Sequence, residues 1–172
     1  MATEFDFDVV RVQGIEEYGP YEVADSMKQS GWVGGQWIRF QKVSAIFDPP
    51  SIRWQRIVEP SGSTDCMMML LRASYEATDQ YTSRYPGKTG EVTCVNYGQY
   101  LCKYFEKQDL AERTTPGSGS ALTYTLNSNL YVSNRGLLTS EKEVSDARGV
   151  GMCVGLPADC QGYLGVEILI GP

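Results

Sequence analysis

Residues 36–47, QWIRFQKVSAIF, set Trp37, Arg39 and Gln41 against Ile38, Phe40 and Lys42, and this period of two predicts a strand that Asp48-Pro49-Pro50 ends. A second run, SIRWQRIVE at 51–59, stops at Pro60. After the polar PSGSTD at 60–65 comes CMMMLLRAS at 66–74, apolar without alternation; its length suits a strand buried on both faces, with a buried helix as the alternative. The polar EATDQYTSRYPGKTG at 76–90 is rich in turn formers and reads as a long surface loop.

In the second half, EVTCV and QYLCKYF flank Asn96-Tyr97-Gly98, and LYVS and LLTSE flank Asn134-Arg135-Gly136. A glycine in third position supplies the left-handed residue that closes a three-residue hairpin loop, so both stretches predict hairpins of one design. Between them ERTTPGSGSA at 112–121 reads as a flexible loop. The tail runs GVGMCVGL, a turn PADCQG at 157–162, then YLGVEILIG, with Val166, Ile168 and Ile170 on one face and Glu167 on the other. Short strands punctuated at a spacing of roughly 8–12 residues predict an all-β fold, a small barrel or a sandwich.

Residues 1–36 differ in texture. Phe5, Phe7 and Val9 alternate with Asp6 and Asp8, and Gly14, Gly19-Pro20, Gly31 and Gly34-Gly35 then break the chain repeatedly. This predicts an extended N-terminal arm over 1–36 attached to a β domain over 37–172. Within it VADSMKQSG at 23–31 has room for one or two helical turns, capped by Asp25 or Ser26 and ended by Gly31. The apolar arm residues Phe5, Phe7 and Val9, with Trp32 and Trp37, are the candidate partner-binding residues, because an arm laid on a neighbour can add a strand to its sheet and indole offers large contact area. Core packing is the competing role for Trp32, Trp37 and Trp54.

Composition narrows the function. A chain of 172 residues with 42% hydrophobic and 11% aromatic residues has enough apolar surface for a core. Its net charge of −6 and pI near 4.7 argue against direct nucleic-acid binding and against an anionic membrane, both of which need clustered Lys and Arg. The opening MATEFDFDVV has neither the basic nor the apolar region of a secretory leader, and CMMMLL at 66–71 is too short for a membrane span, so a cytosol-made chain is expected. Five cysteines, an odd number without a C-x-x-C, then read as free buried thiols. The absence of any histidine removes the commonest metal ligand and general base together.

Motifs with catalytic overtones fail on context. YPGKTGE at 85–91 resembles the end of a phosphate-binding loop, but Thr82 stands where the first glycine belongs, and a strand-like segment follows where a helix must start. Gly149, Gly151 and Gly155 miss the dinucleotide-binding spacing and read as close strand packing. Carboxylate pairs such as Glu16-Glu17 or Glu141 with Glu143 fit a β-rich hydrolase only if they share a cleft; the ordinary reading is solvated turns. No enzyme activity, cofactor or metal is expected.

The stretch TYTLNSNLYVSNRGLLTSEKE with GVGMCVGLPADCQGYLGVEILI resembles the closing hairpins of tailed-bacteriophage capsid decoration, or cement, proteins, and GEVTCVNYGQYLCKYFE resembles the strands before them. The resemblance covers about residues 90–172 and rests on apolar spacing and turn glycines. It implies a structural β-barrel or β-tulip protein on the capsid exterior of a virion, made in the host cytoplasm and trimeric on the shell, which cements neighbouring major capsid proteins. A carbohydrate-binding β-sandwich with Trp and Tyr platforms is the alternative.

Overall fold

Burial alternates strictly along Gly98–Cys102, with Gly98, Tyr100 and Cys102 buried and Gln99 and Leu101 half-buried, as expected of a strand with one face on a core. The computed structural model describes residues 9–13, 18–23, 33–40, 57–60, 68–73 and 91–168. Its elements are β1 (Val9–Gln13), β2 (Tyr18–Val23), β3 (Trp37–Phe40), β4 (Ile57–Pro60), β5 (Met68–Ala73), β6 (Glu91–Val95), β7 (Gly98–Cys102), a short helix α1 (Leu110–Thr114), β8 (Asn129–Val132), β9 (Leu138–Thr139), β10 (Gly151–Gly155) and β11 (Leu164–Ile168). The fold is all-β.

Six strands form an antiparallel sheet in the order β1-β7-β11-β10-β8-β9. This sheet is open, so the larger part of the described chain is not a closed barrel. The other five strands pair β2-β4-β3-β5-β6, with β6 returning to β2; β2 and β4 run parallel and the remaining pairs antiparallel. Cys102, Tyr100, Leu164, Val166, Ile168, Cys153, Leu130 and Val132 share one core with Trp37, Met69 and Val95. In it the Cys102 Sγ lies 3.6 Å from the Met69 sulfur.

CMMMLLRAS contains β5, a strand as its length suggested; 129–139 forms the hairpin expected at Asn134-Arg135-Gly136, and the tail pairs β10 with β11 across the turn read at 157–162. Asn96-Tyr97-Gly98 is different. Gly98 does take a positive φ of 116°, but β6 pairs with β2 and β5 while β7 pairs with β1 and β11, so this turn carries the chain from one strand set to the other instead of closing a hairpin. The stretch read as an arm is also not free along its length: β1 pairs with β7 and β2 pairs with β4 and β6. The helical turns expected at 23–31 and the loop at 76–90 lie outside the described residues, apart from Val23 at the end of β2.

The Gly/Ser/Pro stretch 112–121 is a tied structure. Asp109 caps α1 by accepting from the Glu112 N–H at 2.7 Å and reaches across the loop to the Ser120 N–H at 2.9 Å. Glu112 in turn accepts from the Gly117 and Gly119 N–H groups at 2.9 and 3.0 Å. Two carboxylates thus organise a loop whose composition alone reads as flexible.

Candidate functional site

Phe5, Phe7 and Trp32 lie outside the described residues. Val9 is half-buried against the core beside Cys102, and Trp37 has no exposed surface. Trp37 is held at its N–H by the Gly136 carbonyl at 2.7 Å, where the tip of the β8–β9 hairpin docks on the start of β3. Gly136 has φ 79°, and a Cβ there would lie 3.1 Å from the Trp37 carbonyl oxygen, so conformation and space both require glycine. Trp37 is therefore a core residue of this chain and has no area to offer a partner.

Behind that hairpin sits a buried charge cluster. The Glu106 side chain is fully buried and accepts from the Ser133 hydroxyl at 2.6 Å and from Arg135 Nε at 3.0 Å, with Arg135 Nη2 on its second oxygen. Arg113 of α1 brings Nη1 to 3.4 Å from Glu106 and places Nη2 on Glu143, while Nη1 also donates to the Asn134 Oδ1 at 3.0 Å. The Tyr124 hydroxyl donates to the Glu106 carbonyl at 2.6 Å. Two guanidinium groups and two carboxylates balance, and together they join the segment after β7, α1, the β8–β9 tip and the segment after β9. Burial alone pushes the Glu106 carboxyl up; the hydrogen bonds from Arg135 and Ser133 and the two positive charges outweigh it and hold it below the usual range. Glu143, read from sequence as a solvated turn residue, is in fact the buried partner of Arg113.

Glu106 is taken up by Ser133, Arg135 and Arg113, and Arg113 by Glu143 and Asn134, so these groups tie together the segments that carry them. The thiols are quiet. Burial raises Cys94, raises Cys102 to about 12 and raises Cys153, which keeps all three protonated at neutral pH. Among the described residues no group of three or more His, Cys, Asp or Glu is arranged to hold a metal ion, and no helix is long and apolar enough to cross a membrane.

Surface features remain as candidates for function. Leu126 and Val154 are 48% and 37% exposed. The segments that carry them run side by side, the Asn127 N–H donating to the Cys153 carbonyl at 2.8 Å and the Cys153 N–H to the Ser128 carbonyl at 2.9 Å. On the β1 side of the sheet Val12, in a bulge of β1, is 59% exposed, and Tyr97, in the turn before β7, is 51% exposed. The sheet margins themselves are poor templates for strand addition: β1 is broken by that bulge, and the two-residue β9 is flanked by a bridge to Phe105. No family model, curated protein or solved structure matches this chain.

Proposed function

We propose that this protein is a structural, non-enzymatic virion protein that binds the outside of a bacteriophage capsid and cements neighbouring major capsid proteins, as a homo-oligomer on the shell. The observation that supports this most is the Leu126–Val154 pair: two exposed apolar side chains carried by the same hairpin region on which the resemblance to decoration proteins rests. The two hairpins are adjacent in one sheet, and the tip of the β8–β9 hairpin is braced by the Glu106 cluster. Covering both residues is worth roughly 2 kcal/mol per copy, modest singly and effective when repeated over a shell. Contact through this face replaces contact through a free arm, since β1 and β2 are engaged within the chain.

The test is co-sedimentation with undecorated phage shells. Wild-type protein should pellet with them, and Leu126→Asp with Val154→Asp should lower binding while leaving the circular dichroism spectrum unchanged. Absence of wild-type protein from the shell pellet defeats the reading.

A further inference from the structure

The register of the open sheet aligns one residue from each of five adjacent strands. Gln13 pairs with Gln99, Gln99 with Glu167, Glu167 with Met152, and Met152 with Asn129. This row lies on the face opposite the core, whose rows run through Tyr100, Val166 and Cys153. Gln13 and Asn129 are exposed, and Gln99, Glu167 and Met152 are half-buried. Beside the row lie half-buried Val10 and Leu101, a paired couple in the next outward register, and at its other flank Tyr97 and Tyr131. Five strands span about 19 Å at the usual inter-strand spacing, one side chain per step.

We propose that this row is a binding strip for an extended, uncharged oligosaccharide lying across the strands. Its charge pattern selects the occupant. The row carries three primary amides and one carboxylate but no Lys or Arg, so it has no cation for a phosphate or an anionic polymer to meet, and the chain as a whole is negative. Each amide presents a donor and an acceptor at the same tip, which matches a hydroxyl, itself both donor and acceptor. The Gln99 Nε2 donates to Glu167 Oε1 at 3.4 Å, long for a hydrogen bond, so both groups keep donor and acceptor capacity for a ligand. The inter-strand step is of the same order as one sugar unit along an extended chain, and exposed Tyr97 on one flank and half-buried Leu101 on the other each offer apolar surface beside the row.

Val154 stands two residues beyond Met152 on the same outward face, so the strip adjoins the Leu126–Val154 pair, but it does not depend on the decoration reading. The experiment therefore uses no shells: full-length ¹⁵N-labelled protein is titrated with cellohexaose, chitohexaose and mannohexaose separately, and amide shifts are followed. At least one should produce saturable shifts confined to the row and its flanking residues. Gln99→Ala with Glu167→Ala should weaken that binding about tenfold or more with an unchanged thermal melt, whereas Asp109→Ala, in the capped loop after β7 and away from the row, should leave it intact. Three results overturn the proposal: no shifts in the row with any of the three at millimolar concentration, shifts located elsewhere, or equal binding by the Gln99/Glu167 double variant. Loss of shell binding by that variant with no sugar response in wild type reassigns the row to a protein contact and overturns it as well.

Discussion

Replacing Glu106 by Gln should be among the most damaging near-isosteric changes in this protein. The substitution keeps volume but removes the charge that faces Arg113 and Arg135, and it turns a donor toward guanidinium groups that can only donate. Breaking a buried pair by removing one partner costs about 3–5 kcal/mol in general. The lower end applies here, because Arg135 is 59% exposed and water can take over its hydrogen bonds. Arg113 cannot be rescued in that way, being 8% exposed, and it keeps only Glu143 as a carboxylate partner. A loss of about 3 kcal/mol is a large share of the 5–15 kcal/mol that holds an ordinary domain together, and it lowers Tm by roughly 6–12 °C for a chain of this size.

Urea denaturation of wild type, Glu106→Gln, Arg113→Gln and Arg135→Gln reads this out as midpoint shifts at constant slope. Arg113→Gln and Arg135→Gln should each cost an amount of the same order as Glu106→Gln, because either leaves a fully buried carboxylate short of a guanidinium. The pH dependence adds a sign. Because the folded-state Glu106 carboxyl lies below its unfolded value, its contribution is complete above the ordinary Glu range and is lost as pH falls through the folded pKa. The gap between wild type and Glu106→Gln should therefore close in acid. A penalty below about 1 kcal/mol at neutral pH for Glu106→Gln, or for both arginine variants, refutes the assignment of the cluster as a buried brace.

Thiol chemistry gives a second check: of Cys94, Cys102, Cys153 and Cys160, only the half-buried Cys160 should react rapidly with a disulfide reagent in native protein, and Cys160→Ser should remove that phase. Asp109→Ala should open the 115–121 loop to limited proteolysis without moving the global melt. The Asp109 and Glu112 carboxyls are both held below their usual range, chiefly by backbone N–H groups, so the same loop should loosen in wild type as pH falls below that range. Trp37→Phe should stay within about 1 kcal/mol of wild type, because it also removes a buried indole N–H that has no hydrogen-bond partner, whereas Trp37→Ala should cost about 3–5 kcal/mol; both are read by thermal melts.

Asn96-Tyr97-Gly98 and Asn134-Arg135-Gly136 show where the sequence stops being legible. Both glycines adopt the positive φ that the pattern demands, 116° and 79°, so the local turn chemistry was readable at both sites. Whether the flanking strands then pair with each other depends on what else competes for their edges. Between β8 and β9 nothing intervenes, and the hairpin closes. β7 is taken on one side by β1, some 90 residues earlier, and on the other by β11, some 60 residues later, so no edge is left for β6. The charge cluster was hidden for the same reason. KYFEKQD gives no sign that Glu106 faces inward, because the residues that neutralise it arrive from α1 and from the β8–β9 tip, and burial of a carboxylate can be read only together with its partners. Local pattern thus determined strand identity and turn conformation, while the accounting of strand edges and buried charge, which decides both the sheet order and the bracing of the β8–β9 tip, exists only at the level of the whole chain.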